Sequence, residues 1–259
     1  MRQGQFTVTY IGGPTALFEW DGVRLLTDPT FDPPGGEYRT GPVVLKKTGG
    51  PALAPESIGR VDIVLLSHDH HYDNLDHAGR KFLANVPHVI TTTEGAERLG
   101  GHAVGLSPWQ SIDVAGADGR VLHVTGTPAQ HGPAHLQRGA VTGFVAAFVD
   151  AADYAFYFSG DTVWFDGMAE VARRFPVRIA SLNMGAARVP AVGPFALTMT
   201  AEDGIRAARA FSEATIVPLH YEGWEHFSEP REVIARAFEA AGINGRVRWM
   251  EAGSPIAVP

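Results

Sequence analysis

The densest chemistry in this chain lies in one run, Ser67-His68-Asp69-His70-His71-Tyr72-Asp73-Asn74-Leu75-Asp76. Three His and three Asp fall within nine positions of it. A neutral imidazole nitrogen and an ionised carboxylate oxygen both bind zinc at about 2.0–2.2 Å. A lone histidine is more often a satisfied core residue. Six such groups in one turn would pack badly as core, and a metal site is the stronger reading. A local cluster rarely completes a coordination sphere, so distant ligands are expected. Three positions share one pattern, a strand-like run that ends on a polar residue in a Gly/Pro setting. They are His131 in Thr127-Pro-Ala-Gln-His-Gly-Pro133, Asp161 in Ser159-Gly-Asp-Thr162, and His220 in Pro218-Leu-His-Tyr221. Singly each would be a cap or a turn residue; together, behind the histidine cluster, they point to ligands. Asp69 reads as a cap of the turn or as a metal-facing group. His135 reads as lining a pocket. Tyr221, Trp224 and His226 read either as a substrate wall or as aromatic packing under a loop.

The elements that must position these residues follow from the apolar pattern. Val61–Leu66 is continuously apolar and β-branched, a strand buried on both faces, and it delivers the histidine run at its end. Strand ends are where α/β architectures build ligand sites. Phe6, Val8 and Tyr10 alternate with polar residues as a half-buried strand does. Ala16–Trp20 and Val23–Thr27 flank Asp21-Gly22, a hairpin turn because both residues tolerate positive φ. Further strands are expected at His88–Thr92, Val121–Thr125, Val141–Val149, Tyr154–Ser159, Ile179–Asn183, Thr215–Leu219 and Val247–Met250. Helices are expected at Leu75–Asn85, at Asp166–Phe175, from the capping box at Thr200–Asp203 through Phe211, and from Ser228 to Gly242 with Pro230 in its first turn. Gly12-Gly13 reads as a tight turn. Residues 29–60 are rich in Pro and Gly and read as an irregular segment, either a substrate wall or a plain surface excursion. No linker-like break interrupts the chain, so 1–259 is expected to be one domain.

Taken in order, these motifs resemble the metallo-β-lactamase superfamily, and within it the L-ascorbate-6-phosphate lactonase-like metal-dependent hydrolases. The resemblance spans nearly the whole chain, from the early strands and Thr27-Asp28-Pro29 to His220. It implies an α/β fold class, a four-layer αβ/βα sandwich with two mixed β-sheets and a site at one edge between them. The family order of an HxHxDH turn, a later His, a bridging Asp and a final His maps here onto the 68–74 turn, His131, Asp161 and His220. The turn departs from the pattern. Asp73-Asn74-Leu75-Asp76 fits the family's Asp-His-Leu-Asp with Asn74 in place of His, and the turn holds one extra residue. His68 keeps its place, and either His70 or His71 supplies the second imidazole, a bulge favouring His71. The resemblance then implies a first metal on His68, His70 or His71, and His131. It implies a second on Asp73, Asp161 and His220, weakened by the neutral Asn74. One or two divalent ions are expected, zinc first, with manganese or iron as alternatives. Asp73 and Asp161 are the candidate catalytic residues, Asp73 to orient or deprotonate water and Asp161 to bridge.

Composition narrows the rest. The chain has 259 residues, 21 Lys plus Arg, 28 Asp plus Glu, 11 His and a formal charge of −7. With no Cys, disulfides, iron–sulfur clusters and thiolate zinc sites are excluded. The acidic balance argues against a nucleic-acid partner. No apolar run approaches the roughly 18 residues of a membrane span. Residues 1–6 lack the apolar stretch of a secretory signal, and a cytoplasmic protein is expected. The expected function is hydrolysis of an ester, lactone or phosphodiester bond in a small-molecule substrate by metal-activated water. Three alternatives stand beside it: a phospholipase D-like phosphodiesterase, an iron-dependent oxidoreductase, and a catalytically altered metal- or ligand-binding protein.

Overall fold

Asp21 and Gly22 both adopt positive φ, 47° and 92°, and close a tight hairpin as their types predict. They join β2 (Thr15–Trp20) to β3 (Val23–Thr27), which follow β1 (Phe6–Gly12) in an antiparallel meander. The structure is a computed structural model that describes residues 6–136 and 138–259. The expectation about a leader rests largely on residues 1–5, outside the described residues.

Residues 29–60 are not wholly irregular. Glu37–Thr40 and Val43–Lys46 form a hairpin, β4 and β5, apart from the main sheets. The Pro- and Gly-rich flanks hide its short alternation, in which Tyr38, Val43 and Leu45 face inward. The hairpin hangs on Lys47, whose ammonium lies 2.7 Å from Asp76 Oδ2, both side chains buried. Asp76 also accepts backbone N–H groups from Phe31, Asp32 and Gly79. One carboxylate therefore both caps a helix and fixes the segment.

The main strand that leads to the histidine run is shorter than expected, β6 (Ile63–Leu65). Asp76 caps α1 (His77–Phe82), which tightens into a 3-10 turn at Leu83–Asn85. The chain continues through β7 (His88–Thr91), α2 (Thr93–Leu99), β8 (Ala103–Gly105), β9 (Ser111–Ala115), β10 (Val121–Pro128), β11 (Thr142–Phe148) and β12 (Ala151–Phe158). It ends with α3 (Asp166–Arg174), β13 (Val177–Asn183), α4 (Ala201–Ala210), β14 (Thr215–Leu219), α5 (Arg231–Ala240) and β15 (Pro255–Val258). The capping box forms, Thr200 Oγ1 accepting from Asp203 N and Asp203 accepting in return. Pro230 is the N-cap of α5 and does not enter the first turn. Val247–Met250 is not a strand. After a 3-10 turn at Asn244–Arg246 it makes a single bridge to Ile216, while Val247 and Met250 are buried in the core.

Both sheets are mixed. One runs β15-β1-β2-β3-β6-β7-β8 and the other β14-β13-β12-β11-β10-β9. Their inner faces meet, with Phe18 against Phe156 and Trp20 against Phe148, each pair with ring centroids 4.6 Å apart. Met168 and Val171 of α3, Ala207 of α4 and Phe238 of α5 cover the outer face of the second sheet. Leu75, Phe82 and Leu83 around α1 cover the outer face of the first. The result is the expected αβ/βα sandwich, with each fully buried aromatic or aliphatic side chain contributing about 1.5–3 kcal/mol. No helix among the described residues is long and apolar enough to cross a membrane.

Candidate metal centre

Strands β3 and β6 run parallel, and β10 shares its direction with β12, β13 and β14. Their C-terminal ends therefore line up along one rim of the sandwich, where the chain leaves each strand on Asp28, Ser67, His131, Asp161, Asn183 and His220. Backbones approach closely there. A Cβ on Gly160 would stand 2.6 Å from Ser67 Cβ, and its φ of +56° is one that glycine alone adopts freely. Two non-glycine residues at the rim also hold positive φ, Asp28 at 25° and His220 at 59°. Such conformations cost roughly 1–3 kcal/mol and persist only where the surroundings enforce them.

Three imidazoles converge. His71 Nδ1 lies 2.9 Å from His68 Nε2 and 3.2 Å from His131 Nε2. Their other nitrogens fix the orientation. His131 Nδ1–H donates to the Leu197 carbonyl at 2.8 Å. His68 Nδ1–H donates to Ser67 Oγ, which itself donates to Asp28 Oδ2 at 2.7 Å. Both rings thus turn Nε2 lone pairs inward, the arrangement that outer hydrogen bonds impose on metal-binding histidines. His70 differs from His71. Its Nε2–H donates to the Arg138 carbonyl at 2.8 Å, and its Nδ1 is buried with no hydrogen-bond partner among the described residues. Gly139 makes room for that ring, since a Cβ there would stand 2.4 Å from His70 Nε2. One donor atom each from His68, His70 and His71 still falls within a 4.8 Å group.

A second group joins Asp73, Asp161 and His220, all buried. Asp161 Oδ1 accepts from Asn74 Nδ2 at 3.1 Å and from Asn183 Nδ2 at 2.8 Å. His220 Nδ1 lies 3.0 Å from the same oxygen but out of line for a hydrogen bond. Asp161 Oδ2 has no partner among the described residues and stands 3.9 Å from His131 Nε2. Asp73 Oδ2 accepts from His226 Nε2–H at 3.0 Å, and Asp73 Oδ1 is likewise unpartnered. Buried acceptors without donors are costly. Two such carboxylate oxygens beside inward-facing imidazole lone pairs fit a cation.

The electrostatics agree. Burial, with the neighbouring imidazoles, drives the pKa of His68 and His71 well below 6.5, so both are neutral lone-pair donors at pH 7. Burial would raise Asp161, but His220 above all holds it well below the usual carboxylate range. Burial would likewise raise Asp73, and the hydrogen bond from His226 with the charge of His220 lowers it instead. His220 moves the other way, raised by Asp161 and Asp73 against the effect of burial. Asp28 is pushed up to about 7 by burial and by the charge of Asp161, against hydrogen bonds from Asn74 and Ser67.

The structure thus brings together His68, His70, His71, Asp73, His131, Asp161 and His220. Asp69 is neither a turn cap nor metal-facing; its carboxylate pairs with Arg98 Nε at 3.0 Å. His135 packs on Phe195. Tyr221 stacks on Tyr10 in the interior, whereas His226 lines a cavity beside Asp73. Sequence reasoning missed the roles of Asn183 and Ser67 and the Leu197 carbonyl. Nothing in their local context signals them.

A family model described as the beta-lactamase superfamily domain matches residues 23–221. A UPF0173 metal-dependent hydrolase of Ignicoccus hospitalis is 27% identical over 256 residues, covering 96% of this chain and 96% of that one. Another from Caldivirga maquilingensis is 25% identical over 255 residues, covering 96% and 97%. Among solved structures, an isothiocyanate hydrolase from Delia radicum gut bacteria is similar with a TM-score of 0.79 and 25% identity, covering 97% of this chain and 99% of that one.

Proposed function

This chain belongs to the β-lactamase superfamily, and from that premise we propose that it is a metal-dependent hydrolase acting on an ester, lactone or phosphodiester bond of a small molecule. The observation that carries the reading is the convergence of His68 Nε2, His71 Nδ1 and His131 Nε2 beside the unpartnered Asp161 Oδ2. His68, His71, His131 and Asp161 would hold one divalent ion, and Asp73, Asp161 and His220 a second. Zinc suits this donor set, as do manganese and iron. A bound ion supplies Lewis acidity and brings water to a pKa of about 7.

The protein groups do the rest. Asp73 Oδ1 faces the site as a carboxylate with an open lone pair, able to orient water or take its proton. His226 Nε2–H fixes the other Asp73 oxygen. The Ser67–Asp28 relay holds the His68 proton on Nδ1 and so keeps Nε2 as a donor to a metal. The test is purification without added metal, elemental analysis, and assay of chelated and zinc-, manganese- and iron-loaded protein. The panel includes esters, lactones, phosphodiesters and, because a similar protein carries that name, an aliphatic isothiocyanate. Identical metal content and no metal-dependent turnover on any of them would overturn the reading.

A further inference from the structure

The cavity that opens onto the histidine cluster has two unlike halves. His71, Asp73, His131 and His226 form one, with Arg138 beside them. Val43, Leu45, Ala187, Val189 and Leu197 form the other. All five are buried or nearly so although they border open space. Val43 and Leu45 are alternate residues of β5 and present one face, while Val44 and Lys46 between and after them point to solvent. Ala187 and Leu197 are tied by a backbone hydrogen bond of 2.8 Å. Tyr38 and Trp224 belong to the same apolar cluster and support the wall. Only about 20 Å³ between the walls is enclosed, and beyond it the cleft opens to solvent. The enclosed part takes about one water-sized group, so a larger occupant lies along the walls toward the mouth.

These observations limit what can occupy the site. An aliphatic wall offers no hydrogen bond, so a charged or strongly polar substituent there would lose its hydration without return. We infer that the substrate carries an uncharged aliphatic tail that lies against Val43, Leu45, Ala187, Val189 and Leu197, with its electrophilic centre at the histidine cluster. The inference rests on the hydrolase reading and narrows it to substrates with such a tail.

The experiment uses zinc-reconstituted full-length protein and unbranched aliphatic hydroxamates with tails of two to ten carbons, read by calorimetry. Affinity is expected to rise about fourfold per methylene while the tail lies on the wall, and then to level off or fall once it passes the mouth. Leu197→Ala, whose backbone carbonyl still serves His131, moves the break to longer tails. Val189→Phe moves it to shorter ones. Affinity that is flat from two carbons, or that climbs steadily to ten, overturns the inference. The same break is expected in kcat/KM for a matching ester series. If no ester is cleaved while the hydroxamate break persists, the hydrolase reading fails and the aliphatic cavity stands. If esters are cleaved without dependence on tail length, the hydrolase reading stands and this inference fails.

Discussion

Asn74 Nδ2 stands 3.1 Å from Asp161 Oδ1, on an oxygen that Asn183 Nδ2 also reaches at 2.8 Å. Two amide donors thus occupy one oxygen of the central carboxylate and leave the other, Oδ2, toward His131. The two candidate metal positions are unequal as a result. One has three imidazoles and a free carboxylate oxygen. The other has Asp73, His220 and a carboxylate it must share.

Their pH dependence should differ accordingly. His68 and His71 have pKa values lowered by burial, so no proton competes for them at pH 6. His220 has a raised pKa and holds its proton to higher pH. Elemental analysis after dialysis against limiting zinc is expected to give about one ion per chain at pH 6 and a second only as pH rises toward 8. Equal content at both values would contradict this assignment.

His70 and His71 should respond differently to removal. His71→Ala takes away the nitrogen that faces both His68 and His131, and a metal-affinity loss of at least about 100-fold is expected. His70→Ala removes a ring held to the Arg138 carbonyl, and a loss of about tenfold or less is expected. Zinc competition with a chromogenic chelator measures both. The reverse ranking would place the register of the turn one residue earlier.

Asp28 contributes a pH-dependent share of stability to the chelated protein. Its folded pKa of about 7 exceeds the ordinary carboxylate value, so the folded state keeps a proton that the unfolded chain loses from about pH 4 upward. That share is complete below about pH 4 and is lost as pH rises through about 7. Thermal melts of chelated protein between pH 5 and 8 should therefore show a falling contribution that Asp28→Asn removes. An identical slope in both proteins would count against a protonated Asp28.

Lys47→Met separates the buried pair with Asp76. Breaking such a pair from one side costs about 3–5 kcal/mol, and the three backbone donors that remain on Asp76 keep the cost near the lower end. A fall in Tm of roughly 6–12 °C is expected, with metal content unchanged and faster proteolysis within residues 29–60. A loss of metal instead would tie the hairpin to the metal centre itself.

What the sequence made legible was local. The Asp21-Gly22 turn, the capping box at Thr200 and Asp203, and the histidine run at the end of β6 each carry their signal within a few residues. His131, Asp161 and His220 were legible because each ends a strand, and strand ends share a rim once the sheets form. The contacts that set orientation were not legible. His226 meets Asp73 across 153 residues of chain, and Asn183 reaches Asp161 from the neighbouring strand. Such pairings depend on which strands adjoin, which local pattern does not encode. The β4–β5 hairpin was missed for a related reason. Its strands are four residues each, and they bury against residues 187–197 and Trp224, far along the chain.

The hairpin's moorings have a consequence for how this scaffold can change. Its attachments, Lys47 to Asp76 and the backbone of Thr48 and Gly49 to the Gly223 carbonyl, lie apart from the cavity wall. The side chains that shape the cavity, Val43 and Leu45, take no part in those attachments. The hydrogen bonds that moor the segment, Glu225 N–H to the Lys46 carbonyl among them, thus leave the side chains at positions 43 and 45 unconstrained. Successive sequences could rewrite what the cavity admits, two positions at a time, while the chemistry on the rim is inherited intact.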